Sequence, residues 1–159
     1  MHSYRTDSSK ETRKIAAILA KRFLAVKARR KKALVFGLIG DLGTGKTTFV
    51  QGFLRSLGIK KKITSPTFIL MKKIQISKSK FQINSKIQNF KNVYHIDCYR
   101  IRRAKELLKL GLKEILANHQ NIVLIEWAEK IQGVLPKNAI WIKFEHGQKE
   151  NMRIVKVLK

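Results

Sequence analysis

Ala33-Leu34-Val35-Phe36-Gly37-Leu38-Ile39 runs directly into Gly40-Asp41-Leu42-Gly43-Thr44-Gly45-Lys46-Thr47. The first half is nearly continuous in apolar residues, the pattern of a strand buried on both faces. The second half is a complete Walker A loop. Beyond it, Lys46 to Leu57 carries Phe49, Val50, Phe53, Leu54 and Leu57 at helical spacing, with Gly58 as a stop. Strand, glycine-rich loop and helix in that order are what a phosphate cradle needs. Glycines let backbone N–H groups curl around an anion, and the helix adds its positive N-terminal end. Asp41, Leu42, Gly43, Thr44, Gly45, Lys46, Thr47 and Thr48 are therefore the candidate contacts to a nucleoside triphosphate. Lys46 is expected to reach the β- and γ-phosphates, and Thr47 to place its hydroxyl on Mg2+.

The rest of the chain narrows the class. A length of 159 residues with 44% hydrophobic residues suits one folded domain spanning residues 1–159. No apolar run approaches the roughly 20 residues that cross a bilayer. The N-terminal segment lacks the apolar core of a signal peptide, and one cysteine, Cys98, excludes an internal disulfide. A cytoplasmic protein without membrane contact is expected. Charge is the unusual feature: 35 Lys and Arg against 10 Asp and Glu give +25. Residues 1–32 form a basic N-terminal helix region, and residues 72–91 hold six lysines and no acid. Such a field attracts RNA, DNA or an acidic protein face, whereas an AT-rich genome would produce the same excess by drift.

Working outward, Ser8 and Glu11 offer a capping box for a helix bearing Ile15, Ile18, Leu19, Phe23 and Val26. After Ser65-Pro66-Thr67 a strand is expected from Phe68 to about Ile74. The Lys-rich stretch 75–91 reads as a hairpin extension or loop. Asn92 to Asp97 is a further strand. Ala104 to Leu110 and Leu112 to Ala117 are short helices parted at Gly111. Asn121 to Glu126 is a buried strand, and Ala139 to Phe144 with Arg153 to Leu158 form a terminal pair. The alternation predicts an α/β P-loop NTPase fold. Its central sheet should be mostly parallel and flanked by helices, with terminal antiparallel strands.

A P-loop site needs a carboxylate at the end of a neighbouring buried strand to hold Mg2+ or its waters. Glu126 ends one apolar run and is the better Walker B candidate; Asp97 ends another. Either is a candidate to ligate the metal directly, to act through water, or to orient an attacking water. Ser65-Pro66-Thr67 reads either as a loop sensing the γ-phosphate or as a Pro-fixed turn. His95 alternates with Tyr94 and Ile96, as a satisfied structural histidine would. Trp127 reads as core or interface, and Cys98 as packing.

Four segments occur in order: Gly40 to Phe49, Ser65-Pro66-Thr67-Phe68, His95-Ile96-Asp97-Cys98-Tyr99-Arg100 and Ile125-Glu126-Trp127-Ala128-Glu129. Together they resemble the bacterial TsaE family, a small ATPase of tRNA N6-threonylcarbamoyladenosine (t6A) biosynthesis. The resemblance runs from about Ser9 to the final strands and includes Glu106 and Leu110-Gly111-Leu112. It implies ATP and Mg2+ as cofactors and two partner proteins of sugar-kinase-like fold. One of these transfers threonylcarbamoyl from its adenylate to an adenosine of ANN-decoding tRNAs. The ATPase would then reset that complex between turnovers. The resemblance gives Lys46 and the backbone of Leu42 to Thr48 to the phosphates, Thr47 and Glu126 to Mg2+, and Asp97 to positioning of water or metal. Thr67 falls in the switch-like loop, and Trp127 and Glu129 where a nucleotide or partner contact is expected. The lysines of 72–91 and the +25 charge lie outside the family pattern and raise direct tRNA contact by this chain.

Three other readings compete. A small nucleoside or small-molecule kinase would use the basic segment Arg100 to Lys113 as a phosphate clamp. A GTPase is disfavoured because the guanine-selecting Asn/Thr-Lys-x-Asp pattern is absent. A non-enzymatic RNA-binding module would rest on charge alone.

Overall fold

The computed structural model describes residues 2–25, 30–60, 64, 70–76 and 90–158. In chain order the elements are β1 (His2–Thr6), α1 (Ser9–Leu24), β2 (Leu34–Ile39), α2 (Lys46–Ser56), β3 (Met71–Gln75), β4 (Asn92–Asp97), α3 (Lys105–Lys109) and α4 (Leu112–Ala117). Then follow β5 (Asn121–Glu126), a 3-10 segment (Ala128–Val134), β6 (Ile140–His146) and β7 (Arg153–Leu158). The strands form one sheet in the order β1-β7-β6-β2-β5-β4-β3. Its centre is parallel: β2 pairs with β5 and β6, and β5 with β4. Both margins are antiparallel, β7 with β1 on one side and β3 on the other. This is the expected α/β P-loop architecture.

Alternation along the central strands divides the core. Leu34, Phe36 and Leu38 of β2 and Ile122 and Leu124 of β5 face α1 and α2. Val35, Val123 and Ile125 face the opposite way, toward α3, α4 and the 3-10 segment. This follows from the two-residue period of a strand. The first face is aromatic. Phe36 meets Phe53 edge-on at 5.0 Å between centroids, and Phe49 meets Phe144 at 5.4 Å. Each such pair contributes about 0.5–1.5 kcal/mol beyond its buried area. Both pairs hold α2, the helix that receives the phosphate loop, against the sheet.

Several expectations need correction. The N-terminal helix starts behind its Ser8 cap as expected, but the residues before it, given no element from sequence, form a strand, His2–Thr6, paired antiparallel with β7. Ile18 is 54% exposed. The buried stripe of α1 is Thr12, Ala16, Leu19, Ala20 and Leu24, and Ile18 lies off it. Small residues on that stripe let α1 and α2 approach closely; a Cβ on Gly52 would lie 2.5 Å from the Arg13 carbonyl oxygen. Strand β3 begins at Met71; Phe68 and Ile69 lie outside the described residues, as do Val26, the Ser65-Pro66-Thr67 segment and residues 77–89. Of the stretch read as a hairpin extension or loop, the described ends are paired: Gln75 with Asn92, and the Ile76 N–H donating to the Lys91 carbonyl at 2.9 Å. β6 and β7 form the expected antiparallel terminal pair, and β6 also runs parallel to β2, which joins that pair to the central sheet. Among the described residues no helix is long and apolar enough to cross a membrane.

Candidate nucleotide and metal site

The parallel strands β2, β4 and β5 end side by side, and the candidate residues sit at those ends. This is where ligands bind in open α/β sheets. β2 delivers the glycine-rich loop. Gly40 has φ of 137° and could carry no side chain, because a Cβ there would lie 2.2 Å from the Phe144 carbonyl oxygen. Gly45, at φ of 99°, is the N-cap of α2 and offers no side-chain hydrogen bond to the helix. The first N–H groups of α2 therefore keep no side-chain cap, and an anion is their natural partner.

Lys46 is 5% exposed. Its Nζ donates to the carbonyls of Gly40 at 2.6 Å and Asp41 at 2.8 Å, and lies 4.0 Å from the centre of the Trp127 ring. Burial pulls its pKa below the usual lysine value, while Glu126, Glu129, Asp97 and Asp41 oppose that shift. The ammonium is thus held at the loop by carbonyl dipoles and a ring face, contacts that a phosphate would outbid by charge.

Glu126 and Asp97 are register partners at the ends of β5 and β4, each 3% exposed. They point to the α2 side for the same reason as Ile122, Leu124 and Val93. The Thr47 hydroxyl donates to Glu126, 2.8 Å to Oε2 and 3.1 Å to Oε1. Asp97 accepts from the Tyr99 N–H at 2.9 Å through Oδ1. A hydroxyl and two carboxylates make an all-oxygen donor set of the kind Mg2+ selects, with positions left for phosphate oxygens and water.

His95, read from sequence as a structural histidine rather than a site residue, touches this group. Fully buried, it donates from Nε2 to Glu126 Oε1 at 2.7 Å. Its Nδ1 has no hydrogen-bond partner among the described residues, so it is not the satisfied structural histidine expected from its strand position. The signal was present: His95 is two residues before Asp97 on one strand and must share its face. Histidines that orient a ligating group are common in the outer shell of metal sites.

Trp127 follows Glu126 with φ of 57°, a left-handed conformation that costs a non-glycine residue about 1–2 kcal/mol. That bend brings its ring over Lys46 and within 5.2 Å of the Tyr99 ring. The Lys130 ammonium donates to the Tyr99 carbonyl and lies 5.6 Å from the Tyr99 ring centre. Cys98 is buried beside Asp97, and burial followed by that carboxylate pushes its thiol up to about 12. It packs as expected.

These residues enclose a cavity of about 320 Å3 lined by Leu42, Gly43, Gly45, Lys46, Thr47, Thr48, Asp97, Tyr99, Glu126 and Trp127. Of the residues singled out from sequence, the structure brings Leu42, Gly43, Gly45, Lys46, Thr47, Thr48, Asp97, Glu126 and Trp127 to this one cavity. Asp41 and Thr44 shape the loop, Thr44 Oγ1 donating to the Asp41 carbonyl at 2.7 Å. Thr67 lies outside the described residues.

The geometry has counterparts among known proteins. A family model described as threonylcarbamoyl adenosine biosynthesis protein TsaE matches residues 6–155. The tRNA threonylcarbamoyladenosine biosynthesis protein TsaE of Haemophilus influenzae is 34% identical over 123 residues, 77% of this chain and 70% of that protein. The protein of the same name from Bacillus subtilis is 35% identical over 139 residues, 87% and 74% respectively. The crystal structure of YdiB from Bacillus subtilis shares the fold with a TM-score of 0.68 and 27% identity, over 98% of this chain and 83% of that one. Sequence motifs, the shared fold and the match over residues 6–155 agree, and the chain belongs to the TsaE family.

Proposed function

We propose that this chain is a Mg2+-dependent ATPase that serves tRNA t6A biosynthesis. The observation that carries the reading is the meeting of Lys46, Thr47 and Glu126 at the mouth of an uncapped helix. The backbone N–H groups of Leu42 to Thr48 take the phosphate chain. Lys46 leaves the Gly40 and Asp41 carbonyls to pair with the β- and γ-phosphates. Thr47 and Glu126 would hold the metal, with Asp97 beside them. Bound there, Mg2+ would neutralise charge on the phosphate oxygens. Asp97 orients the attacking water, and His95 keeps the Glu126 carboxylate in place. Family membership supports a role in t6A biosynthesis; the partners are then the two sugar-kinase-fold proteins of the transferase complex. ATP hydrolysis supports their turnover, and this chain transfers no group itself. The basic surface would add tRNA contact that falls steeply with salt.

The test is phosphate release by the purified chain, alone and with the two partner proteins and tRNA. Slow release that rises with the partners is expected, and Lys46→Ala should lower it by about 100-fold or more. Release at full rate that the partners leave unchanged would sink the partner-dependent reading, and transfer of label to a nucleoside acceptor would favour a kinase instead.

A further inference from the structure

The hairpin of β6 and β7 grips the phosphate loop from its outer side. At the end of β6, His146 donates from Nε2 to the Leu42 carbonyl at 3.1 Å. At the start of β7, Arg153 donates from Nε to the Gly43 carbonyl at 3.0 Å. The guanidinium is itself anchored, its Nη1 donating to the carbonyls of Glu150 at 2.5 Å and Met152 at 2.8 Å. Arg153 also sits opposite Thr6 in the β1–β7 register, so the N-terminal strand backs the strand that carries it. Among the described residues no carboxylate pairs with Arg153. Neither residue belongs to any motif that pointed to the site, and neither lines the cavity.

The consequence follows from peptide geometry. In a planar trans peptide the C=O of one residue and the N–H of the next point to opposite sides. Holding the Leu42 carbonyl outward therefore aims the N–H of Gly43 toward the inner, phosphate-binding side, and holding the Gly43 carbonyl fixes the turn in which the Thr44 N–H donates to the Asp41 carbonyl at 3.4 Å. A glycine-rich loop pays heavily in conformational entropy to hold such an arrangement, and contacts that restrict it beforehand improve affinity. We propose that Arg153 and His146 are positioning residues that preorganise the phosphate loop, making the C-terminal hairpin a determinant of phosphate affinity. This rests on the reading of the loop as a triphosphate site.

Calorimetric titration with ATP and with inorganic tripolyphosphate tests it, joined to hydrogen exchange of the loop amides without ligand. Arg153→Ala should weaken both ligands by about tenfold, the scale of one charge-assisted hydrogen bond. His146→Ala should weaken both less, Arg153→Lys should recover part of the loss, and the loop amides should exchange faster in Arg153→Ala. Lys156→Ala is the control. Lys156 is on β7 and pairs with Glu145 at 2.6 Å without touching the loop, so it should leave both affinities unchanged. Unchanged tripolyphosphate affinity in Arg153→Ala would overturn the proposal, as would an equal loss in Lys156→Ala. Should Arg153→Ala fail to fold, Arg153→Lys and His146→Ala carry the same comparison. A wild-type chain that binds neither ligand overturns the triphosphate reading itself.

Discussion

Helices α1 and α2 pack side by side on one face of the sheet but begin in opposite ways. α1 closes its own N-terminus: Ser8 Oγ accepts from the Glu11 N–H at 3.2 Å, and Glu11 Oε2 accepts from the Asp7 N–H at 2.8 Å. The second bond reaches one residue further back than a standard capping box, to the residue before the N-cap. α2 closes nothing, since its N-cap is a left-handed glycine without a side chain. A helix end satisfied within the chain is architecture, whereas one left open beside a lysine and a hydroxyl awaits a ligand. The contrast separates two glycine effects as well. Gly52 is needed for space between the helices, and Gly45 for its backbone angle.

The strongest challenge to this contrast is a wedge between the two helices. Gly52→Ala adds a Cβ 2.5 Å from the Arg13 carbonyl oxygen and 2.6 Å from its Cα, both backbone atoms that cannot swing away. A net loss of about 1–3 kcal/mol is expected in urea unfolding, because overpacking exceeds the helix propensity that alanine gains. A stabilised Gly52→Ala variant would mean that α1 moves freely on α2. Gly45→Ala comes next. Its added Cβ meets only ordinary contacts, 3.7 Å to Thr12 Cγ2 and 4.0 Å to Arg153 Cγ, so the cost is conformational. At φ of 99° that cost is about 1–2 kcal/mol, and nucleotide affinity should fall with it. If affinity held while stability dropped, the open end of α2 would not be the phosphate site. Ser8→Ala has the smallest effect, about 1 kcal/mol in unfolding free energy from the lost cap. Nucleotide affinity should stay unchanged in that variant; a matching loss would show that α1 also contributes to binding.

Much of the fold is written locally. β4, α4, β5 and β7 were readable to the residue, and α2 to within one residue, because each carries a clear apolar period or a glycine boundary. β1 was not readable. His2-Ser3-Tyr4-Arg5-Thr6 has no apolar alternation and is a strand only because β7 offers it a ladder. The 3-10 segment Ala128–Val134 was missed for a related reason: it follows from the left-handed turn at Trp127, a conformation that no rule of propensity assigns to tryptophan. The candidate site divides the same way. Loop, lysine, threonine and both carboxylates were legible as strand and helix ends. The link from His95 to Glu126 was implicit in strand alternation but went unread. The hold of His146 and Arg153 on the loop was not legible at all, since more than 100 residues separate the partners.

The sequence alone therefore determined the phosphate loop, the strands that end in Asp97 and Glu126, the α/β class and the resemblance to one family. These depend on period, glycine placement and short-range order, which a linear chain displays. Only the tertiary structure decided that Asp97 and Glu126 are register neighbours and that His95 holds Glu126 against Thr47. It alone set Trp127 over Lys46 and a distant hairpin behind the loop. Those facts depend on which strands lie side by side and how far each turns, and pairing between remote segments leaves no local mark in the chain.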